Sequence, residues 1–257
     1  MLRKRLIGVI TVKDGWAVQS FSYQRYLPLG RPERLAENLD RWGTDEILVL
    51  SIDRTAKGLG PDLSLLRKLA ALGLSTPLTY GGGIRTAEDA GNVIQSGAER
   101  LCVDASLHGN QGAVREMAAL VGAQAMIASL PLSTGDGQIR WHDYRTRDSS
   151  ALAEADLAVL GEGVISEALV IDCIHEGRRA SFDPRLVELM PFAQLRLIAF
   201  GGISEPSQVS SLLASPRVAA VAVGNFLNYS EHAVQTLKRS PSDSSLRPPA
   251  YAVDPER

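Results

Sequence analysis

The chain repeats itself. Thr44–Asp53 (TDEILVLSID) is echoed by Ile165–Ile174 (ISEALVIDCI) 121 residues later, and Leu78–Ile84 (LTYGGGI) by Leu197–Ile203 (LIAFGGI) 119 residues later. The apolar runs Arg5–Val12 and Gln124–Pro131 stand at nearly the same offset. Such a period is too long for a solenoid repeat. It divides the chain into two similar halves, the second beginning near Gly122, with no linker between them.

Each half alternates short Val/Ile/Leu-rich runs with longer amphipathic stretches. The predicted strands are Arg5–Val12, Glu46–Ile52, Thr76–Tyr80, Arg100–Asp104, Ala125–Leu130, Ala168–Cys173, Arg196–Phe200 and Ala219–Val223. The predicted helices are Pro32–Trp42, Pro61–Leu72, Ala87–Ser96, Gln111–Val121, Ala151–Leu160, Pro184–Met190, Pro206–Ala214 and Glu231–Lys238. Near-continuous apolar strands followed by helices imply a parallel sheet covered by helices. Eight such units in about 240 residues predict an α/β fold, a single (β/α)8 TIM barrel built from two half-barrels. The barrel spans 1–239, with halves of about 1–121 and 122–239, and Ser240–Arg257 is a Pro/Ser-rich flexible tail.

Charge and composition exclude several classes of partner. With 27 basic and 29 acidic residues the net charge is −2, which gives no footprint for nucleic acid or an anionic membrane. The apolar runs are strand-sized, short of the ~20 residues of a membrane span. Only Cys102 and Cys173 are present, both inside apolar runs, so a disulfide framework is not expected and a cytoplasmic location is. His108, His142 and His232 show no metal-ligand spacing, so neither a metal nor a cofactor is expected.

In a barrel of this kind the working groups lie at the carboxyl ends of the strands. Tyr80-Gly81-Gly82-Gly83 and Asp104-Ala105-Ser106 end strands three and four, and Phe200-Gly201-Gly202 and Gly224-Asn225 are their second-half counterparts. Glycines there let an anion approach backbone N–H groups. The twin placement predicts two phosphate sites, at Gly82, Gly83 and Asp104 and at Gly201, Gly202, Gly224 and Asn225. Asp53, Asp104, Asp172, His175 and Glu176 also fall near strand ends. Asp172 is expected to face the lumen with His175 as a proton carrier at neutral pH, although loop polars at a βα junction fit the same residues.

The segments KRLIGVITVKDG (Lys4–Gly15), GTDEILVL (Gly43–Leu50), PLTYGGGIRTAEDA (Pro77–Ala90), GGI and AVAVGNF resemble the cyclase subunit family of imidazole glycerol phosphate synthase. The resemblance runs from Met1 to about Lys238 and is poor from Ser133 to Ala151. It implies a barrel that receives ammonia from a glutaminase subunit docked at the amino-terminal face. The ammonia then reacts with a bis-phosphorylated sugar derivative at the other end. It further implies an ammonia gate of four charged residues at Arg5, Glu46, Arg100 and Glu167, with Arg100 where the family usually has Lys. Glu99 falls where an acidic residue docks the glutaminase.

The family's catalytic residues do not carry over. Its two acid–base aspartates fall on Thr11 and Pro131, neither of which exchanges a proton near neutral pH. Such a pair contributes about 10²–10⁴ in rate. Further family acids fall on Ser51 and on His175-Glu176-Gly177, a family lysine falls on Gln19, and Asp104-Ala105 replaces an Asn-Thr type pair. The segment Gly15–Glu33 resembles a branch of the family that works with a glutaminase and a third, acceptor enzyme in lipopolysaccharide O-antigen synthesis. In that branch ammonia amidinates a sugar-linked acid. The resemblance thus implies an ammonia-channelling synthase subunit of a glutamine-dependent amidotransferase, with Asp172 and His175 as the candidate catalytic groups. The alternatives are an active histidine-pathway cyclase and a non-catalytic scaffold or regulator of a glutaminase. Gly15–Gly30 is expected to be a lid loop.

Overall fold

The computed structural model describes residues 3–152, 154–239 and 246–248. In the first half the elements are β1 (Arg5–Lys13), β2 (Trp16–Phe21), β3 (Arg25–Gly30), α1 (Pro32–Trp42), β4 (Glu46–Ser51), α2 (Leu63–Ala70), β5 (Leu78–Gly81), α3 (Ala87–Gln95), β6 (Arg100–Val103), α4 (Ala105–Gly109) and α5 (Gln111–Val121). The second half contains β7 (Met126–Gly135), β8 (Gln138–Asp143), β9 (Asp148–Ala151), β10 (Glu167–Asp172), α6 (Arg185–Glu188), β11 (Arg196–Phe200), α7 (Pro206–Ala214), β12 (Val218–Val223) and α8 (Ala233–Lys238).

Eight of these strands close a parallel barrel in the order β1, β4, β5, β6, β7, β10, β11, β12, with β12 returning to β1. Local chemistry sets the helix ends. Pro32 occupies the first turn of α1 and Gly43 ends it in the left-handed region at φ 80°. Thr86 and Asp89 form a reciprocal capping box at the start of α3.

Side chains alternate across each strand, giving two separate cores. Leu6, Ile47, Tyr80, Leu101 and Val170 point outward into the layer between barrel and helices. Ile7, Val9, Leu48, Leu50, Leu169 and Phe200 fill the lumen. The repeat survives in fine geometry. Gly82 (φ 124°) and Gly201 (φ 105°) hold matching backbone conformations, each against the end of the preceding barrel strand. A Cβ there would lie 2.3 Å from the Ser51 carbonyl oxygen in one half and 2.6 Å from that of Asp172 in the other.

Two expectations are corrected, and a stretch for which the sequence predicts no element is found to form strands. Gly15–Gly30 is an antiparallel hairpin, β2 paired with β3 and with the end of β1, rather than a loop. The poorly matching stretch after Ser133 forms a second hairpin system, because β7 runs on past the barrel and pairs with β8, which pairs with β9. Ala151–Leu160 is not an α-helix. Glu154–Gly161 is 3-10 helix broken at Leu157 (φ −125°, ψ 27°), in a segment without amphipathic spacing to favour a long helix. Of the tail, Leu246 is buried beside an isolated bridge to Lys4, and the Arg247 N–H donates to the Lys4 carbonyl at 3.2 Å. Residues 240–245 and 249–257 lie outside the described residues.

Candidate functional site

At the amino-terminal end four strand-start residues turn into the lumen and form a closed ring of ion pairs. Arg5 Nη2 donates to both Glu167 oxygens at 2.8 and 2.6 Å, and Arg100 Nη1 lies 2.8 Å from Glu167 Oε2. Both arginines stand 3.6 Å from Glu46 Oε2, and Thr79 Oγ1 donates to Glu46 Oε1 at 2.5 Å. The carboxylates are almost fully buried and the arginines slightly exposed. Burial by itself would raise the Glu167 pKa, but attraction to Arg5 and Arg100 overrides it and holds the carboxyl below its ordinary value. Arg5 is affected conversely, since burial works against its charge and the two glutamates more than restore it. Glu99 lies on the same face, exposed, with its carboxylate accepting the Leu78 N–H at 2.7 Å.

Above this ring the lumen is mainly apolar up to the opposite mouth, with Ser129 turned inward between Ile127 and Pro131. By strand alternation Thr11 and Pro131 complete the lumen at that mouth, so their positions are as expected and their side chains supply no acid or base. Asp172 does not face the lumen. It follows lumen-facing Ile171, so parity turns it outward toward the helix layer, where it is 1% exposed. Its carboxylate accepts His175 Nδ1 at 2.8 Å, the His175 N–H at 3.2 Å and the Asp183 N–H at 2.8 Å. These two catalytic candidates therefore meet as an oriented Asp–His pair at the carboxyl rim, outside the lumen.

The two hairpins cover the mouth. Hairpin β2–β3 folds onto the second half. Ser20 Oγ donates to Glu176 Oε2 at 2.8 Å, the Ser22 N–H to the Glu176 carbonyl at 2.9 Å, and Asn225 Nδ2 to the Ser20 carbonyl at 2.6 Å. Burial raises the Glu176 pKa, against the hydrogen bonds from Ser20 and Tyr23. At the hairpin tip Ser22 and Tyr23 both hold positive φ, 53° and 52°, a conformation that costs a non-glycine residue energy. It aims Tyr23 down onto the lumen residues, with its hydroxyl buried and without a hydrogen-bond partner among the described residues. Burial, reinforced by Glu176, pushes that hydroxyl's pKa well up.

The other hairpin covers the first half. Tyr144, in the turn between β8 and β9, donates to Asp104 Oδ2, while Asp104 Oδ1 accepts the Ala105 N–H. Burial raises the Asp104 pKa, partly offset by the Tyr144 and Ala105 hydrogen bonds. Gly83, Asp104, Gly202 and Asn225 thus all reach the mouth, but Asp104 arrives with its carboxylate already engaged. Sequence reading missed Tyr23, Tyr144 and Thr55, whose Oγ1 accepts the Gly83 N–H at 2.9 Å. The two-residue Asp136-Gly137 turn was a signal for the second hairpin. Nothing local marks Tyr144 as a partner of Asp104, forty residues distant. Among the described residues no cluster of three or more His, Cys, Asp or Glu is placed to hold a metal, and no helix is long and apolar enough to cross a membrane.

Residues 5–233 match the model of the histidine biosynthesis protein family. The chain belongs to that family. Within it, the imidazole glycerol phosphate synthase subunit HisF of Metallosphaera sedula is 30% identical over 229 residues, covering 88% of this chain and 91% of the relative. HisF of Exiguobacterium sibiricum is 29% identical over 231 residues, 88% of this chain and 91% of the relative. HisF of Bacillus cereus is 27% identical over 253 residues, 96% and 98% of the two chains. This member of the histidine biosynthesis family is therefore a HisF-like barrel over nearly its whole length.

Proposed function

We propose that this HisF-like chain is the ammonia-conducting subunit of a glutamine-dependent amidotransferase, reassigned from imidazole glycerol phosphate formation to another acceptor. The observation that carries the reading is the contrast between the two ends of one lumen. Arg5, Glu46, Arg100 and Glu167 form a closed charged ring on the face where a glutaminase would dock, with Glu99 beside them. At the other end Thr11 and Pro131 leave the lumen without an acid or base. Between the ring and the lid, ammonia would pass mainly apolar side chains.

At the mouth, Gly201, Gly202, Gly224 and Asn225 line one recess, where glycine backbone N–H groups suit the phosphate of a sugar ligand. The exposed apolar residues Trp16, Leu27, Leu59, Ile174 and Tyr229 all follow the carboxyl ends of barrel strands, and suit a third enzyme seated over this face. Amidination of an O-antigen sugar acid fits such an arrangement in the cytoplasm. Any proton transfer that the chain performs itself falls to His175, oriented by Asp172.

The decisive experiment supplies the purified chain with the histidine-pathway ribulosyl substrate and saturating ammonium, which bypasses any glutaminase. No turnover by folded protein is expected. Turnover within about tenfold of an ordinary cyclase, a barrier difference of ~1.4 kcal/mol, would return the chain to histidine biosynthesis.

A further inference from the structure

The two halves of the mouth differ in one respect that bears on the ligand. In the first half two of the backbone donors that could cradle an anion are already used. The Gly83 N–H donates to Thr55 Oγ1 at 2.9 Å, and the Ala105 N–H donates to the Asp104 carboxylate. The other Asp104 oxygen accepts Tyr144, so the carboxylate is fixed from both sides. Tyr144 is itself held in place, because Trp141 of the same hairpin stacks on His108 with ring centroids 3.5 Å apart and planes 25° from parallel. His142 Nε2 and Ser133 Oγ, 2.7 Å apart, tie β8 back to β7. The nearby cation, Arg145, is committed to Asp143 through two contacts of 2.9 and 2.6 Å. A carboxylate thus stands where a phosphate would sit, and the Arg145 cation of the same hairpin is turned to Asp143.

The second half lacks this closure. Gly224 takes the place of Asp104, and even an added Cβ there would meet Phe200 and Val9 only at 3.6–3.7 Å. Among the described residues, no acceptor meets the N–H groups of Gly202 or Asn225. The one carboxylate lining the recess, Glu176, is turned to Ser20 and Tyr23 of the lid.

We infer that the mouth takes a sugar ligand bearing a single phosphate, held at Gly201, Gly202, Gly224 and Asn225, and that Asp104 and Tyr144 close the first-half loop to a second one. The inference rests on the second-half anion site of the proposed function, and it narrows the two phosphate sites expected from the sequence to one. Asp104 and Tyr144 are then specificity-determining residues that act by occupying the cradle.

Titration calorimetry of the full chain with ribose 5-phosphate and with ribose 1,5-bisphosphate tests this. The two are expected to bind with affinities within threefold, because the extra phosphate finds no site. Binding of the bisphosphate tenfold or more tightly would overturn the closure while leaving the second-half site standing. Binding of neither sugar would overturn that site, and the inference with it. The double variant Asp104→Gly/Tyr144→Ala, checked for fold by circular dichroism, is expected to gain at least tenfold for the bisphosphate with ribose 5-phosphate unchanged. A folded double variant without that gain would count against the closure, and the wild-type comparison decides the question if the variant does not fold.

Discussion

Glu167→Gln tests whether the charged ring is one interacting unit. The substitution keeps the side chain's shape and removes its charge. The two Glu167 oxygens receive Arg5 at 2.6 and 2.8 Å, and Arg100 comes within 2.8 Å. Removing one partner of a buried pair costs about 3–5 kcal/mol, because the remaining charges stay desolvated. Here both arginines keep Glu46 at 3.6 Å and are 19% and 16% exposed, which places the loss near the lower figure, about 3 kcal/mol. At this chain length that lowers Tm by about 6–12 °C. The pH dependence adds a second signature. Attraction to the arginines holds the folded-state pKa of Glu167 below the ordinary value despite burial. Its contribution is therefore complete above the unfolded carboxyl pKa of ~4.3 and is lost as pH falls through the lower folded value. Urea denaturation of both proteins is expected to show the full gap at about pH 7 and a shrinking gap below about pH 4. Arg115 and Glu162 provide the control, with contacts of 2.6 and 2.7 Å on the open surface, where Glu162→Gln leaves the midpoint unchanged. Equal midpoints for wild type and Glu167→Gln at neutral pH, or a gap that widens on acidification, would refute the reasoning.

Tyr23→Phe removes a buried hydroxyl without a partner and is expected to raise stability by about 1 kcal/mol in the same assay. Asp104 has a folded pKa raised by burial, so its share of stability is present at low pH and is lost as pH rises through the folded value. Asp104→Asn should therefore gain stability relative to wild type between about pH 4 and pH 7, as read from denaturation midpoints at both. Gly201→Ala combines φ 105° with a Cβ 2.6 Å from a carbonyl oxygen and should cost more than ~3 kcal/mol, whereas Gly58→Ala, at φ 67° in open space, should cost about 1–2 kcal/mol by thermal melting.

The barrel was legible because its determinants are local. Apolar strands, Pro32 at a helix start and the twin Gly-Gly turns each act within a few residues, and α1, α5 and α7 begin and end where the pattern places them. The ring residues were legible from the resemblance, since each falls at a strand start and strand parity turns it inward. The two mouth hairpins were not legible in the same way. Strands β2 and β3 alternate only weakly, with Pro28 inside β3, and their fold depends on docking to Glu176 and Asn225, far away in the sequence. Asp172 was misplaced for a simpler reason. Its apolar neighbours on both sides hid the parity that a register of one residue would have revealed.

The floor and the mouth of this barrel differ in how they can change over evolutionary time. The glycines of each cradle come from one half of the chain, so one cradle can be plugged, here by Tyr144 of the other half, while its twin keeps its shape. The ring allows no such independence. Three of its members come from the first half and Glu167 from the second, so the halves share a single electrostatic joint. A lone half-barrel would carry either surplus charge or a stranded glutamate at that joint. Either cradle can thus change alone, whereas a change in any ring residue is felt by both halves of the chain.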